Sequence, residues 1–184
     1  QRVFADCHVI ETGLQHGTLT VMHHHEPFEV TTFRVDGEYT DHRHPDEVIF
    51  VADVRDDLSR RDFTVNAMAW SPETGVVDAF GGQEDLDKQL IRCGLEDIEN
   101  KTIRCVGKAE ERFTEDALRI MRALRFASVY GFAIDPATDA AIHVLKDTLT
   151  DVAAERIRVE LQKLLCGDGA GDILRAYPDV LQVI

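Results

Sequence analysis

Two short stretches of this 184-residue chain carry residue types suited to phosphate and nucleobase chemistry. The first is Arg60-Arg61-Asp62-Phe63-Thr64-Val65-Asn66-Ala67. Adjacent guanidiniums can hold a triphosphate, because the planar fork of Arg matches phosphate oxygens. Asp62 can accept a ribose hydroxyl, and Asn66 offers a donor and an acceptor together. The second is Glu115-Asp116-Ala117-Leu118-Arg119. On a helix, Asp116 and Glu115 lie three and four residues from Arg119, so all three share a face, which Arg122 joins. Each stretch also has a plainer reading. The first is a solvated charged turn before a strand, the second a set of intrahelical ion pairs worth roughly 0.2–0.5 kcal/mol each. A third element, Asp78-Ala79-Phe80-Gly81-Gly82, places an acid at a strand end before a Gly pair and reads as a structural turn.

The elements that position these residues fall into two textures. Up to about residue 107, short β-like runs alternate with turn signals, and from 108 onward the pattern is helical, which divides the chain into parts 1–107 and 108–184. Thr18–Met22 and Phe28–Phe33 flank the polar turn containing His23, His24 and His25 and predict a hairpin. Ala67–Trp70 and Gly75–Asp78, around Ser71-Pro72-Glu73-Thr74, predict another. Between the two hairpins Arg34–Pro45 is polar with Gly and Pro and predicts a mobile loop. Glu110–Tyr130 reads as one helix stopped by Gly131, with an apolar stripe through Leu118, Met121, Leu124 and Ser128. Asp135-Pro136 opens a second helix, with Ala140, Ala141, Val144 and Leu145 on its apolar face, and a third runs from about Asp151 to Leu165. The segment Gly169–Ile184 begins a further helical stretch. Glu84-Asp85-Leu86-Asp87 with Ile91-Arg92-Cys93 recurs twelve residues later as Glu96-Asp97-Ile98-Glu99 with Ile103-Arg104-Cys105, which reads as a local duplication too short for a solenoid.

Composition bounds the partners. A net charge of −14 runs against a nucleic-acid binder, since phosphate attraction needs Lys and Arg, unless positive charge is segregated to one surface. The four cysteines are scattered without a C-x-x-C pair, which points to reduced thiols rather than a zinc site or a disulfide frame. The His trio reads as an exposed turn. Neither a secretory signal nor an apolar run near the roughly 18–20 residues of a membrane span is visible, so a cytoplasmic protein without a membrane partner is expected. A start on Gln1 reads as a fragment or a trimmed chain. Nothing here bears on oligomeric state.

The order and spacing of these motifs change their weight. RRDFTVNAMA, then D-x-x-G-G, then EDALRIMRALRFASVYGF, then Glu155–Leu165 closely resemble the class II tRNA nucleotidyltransferases and their bacterial poly(A) polymerase relatives. Thr12–Thr18 and Phe28–Arg34 extend the likeness to nearly the whole chain. The resemblance implies an α+β fold: the C-terminal part of a polymerase-β-like nucleotidyltransferase head, a small mixed or antiparallel sheet with helices, followed by an all-α neck. It implies an enzyme that adds C and A to tRNA 3′ ends from CTP and ATP, releasing pyrophosphate with Mg²⁺. Nucleotide contacts would fall to Arg60, Arg61, Asp62, Asn66, Glu115, Asp116, Arg119 and Arg122. Asp116 and Arg119 would read the base edge, with Glu115 orienting Arg119. The loop through Asp36, Gly37, Glu38 and Arg43 resembles the flexible loop of the CCA-adding and A-adding members, and the Glu155–Leu165 helix resembles the neck helix that braces the head.

The sequence also departs from that pattern. The family's Gly-Gly element and metal-binding D-x-D pair, expected a few tens of residues before Thr12, are not found in the eleven residues that precede it, and Glu29 alone matches a third carboxylate. One carboxylate cannot hold two Mg²⁺, so the chain by itself is expected to be inactive. A poly(A) polymerase or an A-adding enzyme of the same family is the alternative, and a non-catalytic RNA-binding or scaffolding relative is the alternative of another class.

Overall fold

The computed structural model describes residues 2–4, 6–14, 17–37, 48–80 and 93–184. Both expected hairpins form. Strand β1 (His8–Ile10) pairs antiparallel with β2 (Thr18–His23), which pairs with β3 (Glu26–Thr31), His23 facing Glu26. The two turn residues, His24 and His25, both take positive φ (48° and 68°), as a two-residue turn matched to strand twist requires. All three histidines of the trio are exposed. Strands β4 (Arg34–Asp36) and β5 (Val48–Phe50) form a separate antiparallel pair with Arg34 opposite Phe50 and Asp36 opposite Val48. This corrects the loop expected over 34–45. Its first three residues, Asp36 among them, are held in a ladder by β5, a partner that local composition does not reveal. Gly37 follows the strand, whereas Glu38 and Arg43 lie outside the described residues. Helix α1 (Val54–Ser59) starts on Asp53, whose carboxylate accepts the Arg55 amide. Strands β6 (Met68–Ser71) and β7 (Gly75–Asp78) form the second hairpin, with Trp70 opposite Val76.

The helical part is more divided than its periodicity suggests. Helix α2 (Cys93–Glu99) and the short strand β8 (Thr102–Ile103) precede α3 (Ala109–Glu115) and α4 (Leu118–Tyr130). The expected single helix over 110–130 is therefore two, because Asp116 leaves helical geometry (φ −145°, ψ 103°). Gly131 stops α4 in the left-handed region (φ 66°), as expected. Strand β9 (Ala133–Ile134) runs parallel to β8. Asp135 caps α5 (Pro136–Leu145) by accepting the amides of Ala137 and Thr138. Its buried face is Thr138, Ala141 and Ile142, while Ala140 and Val144 are exposed, so the predicted apolar face was turned by about one position. Residues 146–151 form a 3₁₀ turn, so α6 begins later than expected (Ala154–Leu165), and α7 (Ala170–Ala176) and α8 (Pro178–Leu181) complete the chain. The first copy of the apparent duplication lies outside the described residues except for Cys93. The second spans α2 and β8.

Helix α4 is the spine. Ile120, Met121, Ala123 and Leu124 are fully buried, and the core they build takes in Phe63, Ile103 and Cys105 as well as Phe113, Ile142, Leu164 and Val180. One core thus runs across residue 107 and fixes Phe63, in the centre of RRDFTVNA, against the helices. Ser128 in α4 donates to the Leu164 carbonyl of α6 (2.7 Å), and Gly167 lies so close to Ser128 that a Cβ there has no room. No helix among the described residues is long and apolar enough to cross a membrane.

Candidate functional site

A cleft of about 460 Å³ opens where α1, the 3₁₀ turn Thr64–Asn66, α4 and α6 meet. It is lined by Arg60, Arg61, Asp62, Asn66, Asp116, Leu118, Arg119, Arg122 and Arg156. Seven of the residues named from sequence are brought together here. Five arginines face two aspartates in a chain of net charge −14, so positive charge is segregated to this concavity and the cleft attracts anions.

The first two arginines are held from beneath by Asp57, a residue that sequence reading missed. Asp57 is 3% exposed on α1. Its Oδ1 accepts Arg60 Nη2 (2.7 Å), Arg60 Nε (3.1 Å) and the Arg34 amide (3.1 Å), and its Oδ2 accepts Arg61 Nη2 (2.8 Å). Burial raises the carboxyl's pKa, but the hydrogen bonds from Arg60, Arg61 and the Arg34 amide outweigh it and hold the group below its ordinary value. Arg60 also donates to the Arg34 carbonyl (3.1 Å), which ties α1 to β4. An acid three and four residues before an Arg pair on a helix was the available signal, obscured by Asp53 and Asp56 nearby.

Asp62 is 8% exposed and joins the two halves of the cleft. Its Oδ2 accepts Arg122 Nε (2.7 Å) and Nη2 (2.6 Å) from α4, and its Oδ1 accepts the Phe63 amide (2.9 Å) and Asn66 Nδ2 (3.3 Å). Thr64 below donates to Asp97 of α2 (2.6 Å). That helix is in turn capped by Asp78, whose two oxygens accept the Gly94 and Leu95 amides at 2.9 Å. Asp78 thus supports the RRDFTVNA turn from one layer away, and Gly81 and Gly82 lie outside the described residues. Gly94 is needed there, since a Cβ would fall 2.7 Å from Met68 and the Thr64 carbonyl.

The Glu115–Arg119 stretch differs from expectation in an instructive way. The three charged residues do not share one helix face, because the chain breaks between α3 and α4. Glu115 still reaches Arg119 (2.5 Å to Nη1) and also pairs with Arg112 (2.7 Å). Arg119 Nη1 donates to the Arg112 carbonyl (3.0 Å) and Nη2 to the Arg60 carbonyl (3.3 Å), and the residue is 9% exposed. Asp116 does not pair with Arg119. Its Oδ1 accepts the Leu118 amide (3.1 Å), which starts α4, and its Oδ2 accepts Arg156 Nη2 (2.9 Å) from α6. The carboxylate and the guanidinium are thereby left side by side in the cleft instead of neutralising each other. Arg156 and Arg112 were also missed. The α6 helix is no mere brace, since its Arg156 lines the cleft.

Glu29 is not in this assembly. It is exposed on β3, opposite Thr20, and does not line the cleft. Among the described residues no group of three or more His, Cys, Asp or Glu converges as a metal site would require. Cys105 is buried, and burial pushes its thiol up to about 12, which removes it as a nucleophile.

Comparison with known proteins places this geometry. Residues 1–92 match the family model of the poly A polymerase head domain, and residues 131–177 match that described as the probable RNA and SrmB-binding site of polymerase A. The CCA-adding enzyme of Oceanobacillus iheyensis is 50% identical over 172 residues, covering 94% of this chain and 40% of the relative. A crystal structure of the Bacillus stearothermophilus CCA-adding enzyme in complex with CTP is 41% identical with a TM-score of 0.77, covering 91% of this chain and 37% of that one. A structure of a tRNA-processing enzyme with CTP is 29% identical with a TM-score of 0.73, covering all of this chain and 44% of that one. This chain therefore spans about two-fifths of the length of the relatives it matches. The chain belongs to the poly A polymerase head-domain family, that of the class II tRNA nucleotidyltransferases and their poly(A) polymerase relatives.

Proposed function

We propose that this chain is the nucleotide-selecting part of a cytoplasmic tRNA nucleotidyltransferase that adds C and A to tRNA 3′ ends from CTP and ATP, with 1–107 as head and 108–184 as neck. The observation that carries the reading is the cleft itself, where Asp116 and Arg119 stand beside the arginines of RRDFTVNA without being paired to each other. Arg61 would grip the triphosphate and Asn66 would meet the ribose; Asp62 already accepts from Phe63, from Asn66 and twice from Arg122, so it would take a ribose hydroxyl by releasing the 3.3 Å bond from Asn66. Arg122 is held by Asp62 at 2.6 Å and lines the same cleft.

Base choice follows from donor and acceptor patterns. Cytosine and adenine each present an exocyclic amine beside a ring-nitrogen acceptor. The amine donates to Asp116, and the ring nitrogen accepts from Arg119. Asp116 already accepts two hydrogen bonds, but a carboxylate has about four lone-pair sites and keeps room for a third. Guanine and uracil present the reverse pattern and leave both charged groups unmatched. The clamp of Glu115 and two carbonyls on Arg119 keeps the guanidinium from swinging to suit them.

The described residues do not fit the two Mg²⁺ ions that phosphoryl transfer in this family would use. Glu29 is exposed, and among the described residues no group of three or more His, Cys, Asp or Glu gathers around it. No bond-making step is assigned to them, and the chain alone should not extend RNA.

Two measurements test the reading. The chain should bind CTP and ATP in preference to GTP and UTP by calorimetry; equal affinity for all four would remove the templating role. A hybrid in which this chain replaces the matching segment of the Oceanobacillus iheyensis enzyme should complete tRNAs ending before CCA, after C and after CC. Untemplated poly(A) tails from the hybrid would favour the poly(A) polymerase alternative, and A alone added after CC would favour the A-adding one.

A further inference from the structure

We infer that Asp57 is the positioning residue of the phosphate grip, dividing the Arg60-Arg61 pair into one strut and one hand. The inference rests on the nucleotide-binding reading of the cleft. Its two carboxylate oxygens do different work. Oδ1 takes Arg60 together with the Arg34 amide, and Arg60 returns a hydrogen bond to the Arg34 carbonyl. Arg60 is consequently locked, with a side chain only 16% exposed, and its own carbonyl receives Arg119. Oδ2 takes a single nitrogen of Arg61, whose side chain is 44% exposed and faces the cleft. Asp57 is the one partner of the Arg61 guanidinium among the described residues.

A guanidinium carries five N–H donors in a fixed plane. Tethering one of them from below sets that plane and leaves the opposite edge for phosphate oxygens. It also removes much of the rotamer freedom that a phosphate would otherwise have to freeze on binding. A surface ion pair between residues four apart would have none of this leverage. Here the carboxylate is buried and shared, so the Arg61 plane is registered against Arg60, β4 and, through the Arg60 carbonyl, the base-facing Arg119.

The test uses three probes, CTP, cytidine and inorganic tripolyphosphate, titrated into the wild-type chain, Asp57→Asn, Arg61→Ala and the double variant. Asp57→Asn should raise the Kd for CTP and for tripolyphosphate about tenfold, within the range typical of removing a residue that orients a contact group, and leave cytidine unchanged. The double variant should bind CTP within about twofold of Arg61→Ala alone, because Asp57 acts through Arg61. Should Asp57→Asn not fold, Asp57→Glu keeps the charge but displaces the tether by one methylene, and should weaken CTP and tripolyphosphate about threefold. Unchanged CTP affinity in a folded Asp57 variant, parallel loss of cytidine, or losses that multiply in the double variant would each overturn the inference. A wild-type chain that binds tripolyphosphate but prefers no nucleotide would instead overturn the nucleotide reading while leaving the role of Asp57 standing.

Discussion

Replacing Asp116 with Ala separates base selection from triphosphate binding, and its size can be worked from the cleft. In the intact site a guanine or uracil leaves two groups unmatched, Asp116 against a carbonyl and Arg119 against a ring N–H. Each unmatched buried group costs roughly 1–3 kcal/mol, so the pair amounts to about 2–6 kcal/mol, or roughly 30-fold to 20,000-fold in affinity. Removing Asp116 deletes one of the two, and the preference for CTP over GTP should fall by roughly 5-fold to 150-fold. CTP itself also loses one charge-assisted hydrogen bond, about 1.5–3 kcal/mol, which lowers the ratio further. The structural side effects are smaller. The Leu118 amide loses a cap worth about 1 kcal/mol, and Arg156, with a side chain 25% exposed, is reached by water when its partner goes. Calorimetric titration with all four nucleoside triphosphates reads the ratio directly. If CTP and GTP weaken together and their ratio holds, Asp116 is a structural cap and the templating argument fails.

Four further outcomes follow from the surrounding structure. Asp57, its pKa held below the ordinary carboxylate value, contributes stability that is present above about pH 4, the unfolded-state value, and lost as pH falls through the folded one. Urea midpoints of wild type and Asp57→Asn should therefore draw together as pH falls below about 4, and a constant gap would contradict this. Cys166 is exposed and should react with iodoacetamide in the native chain, whereas Cys105 should react only on unfolding. Because the Cys105 thiol is raised from 9.0 to about 12, its contribution is intact below pH 9 and declines as pH rises towards 12. Mass spectrometry of the modified chain checks the first point, and alkaline melts of wild type against Cys105→Ala check the second. Gly94→Ala should cost about 1–3 kcal/mol, since the new methyl meets Met68 and the Thr64 carbonyl at 2.7 Å, and a thermal midpoint within a degree of wild type would show that the neighbours yield freely.

The features legible in sequence were those written in local spacing. Alternation and turn residues placed both hairpins, Gly131 and Asp135 marked a helix end and a helix start, and the i, i+4 interval correctly paired Glu115 with Arg119. The motif order located the residues of the cleft, seven of which line it. What tertiary structure alone decided was how those residues divide their labour. Asp116 leaves the helix because its carboxylate is claimed by the Leu118 amide and by Arg156, forty residues away. Asp62 meets Arg122 across sixty residues. The polar composition of residues 34–45 could not reveal that β5 captures Arg34–Asp36 as a strand.

The reason is physical. Intervals of two, three and four residues encode contacts within one strand or helix, and a reader of the chain can count them. A buried carboxylate instead takes whichever cation packing brings within about 3 Å, at any separation along the chain, because burial without a partner costs too much. The residues of the cleft were thus set by the sequence, but only the packing of α1, α4 and α6 determined which arginine is a strut, which is a hand, and which carboxylate is left to read a base.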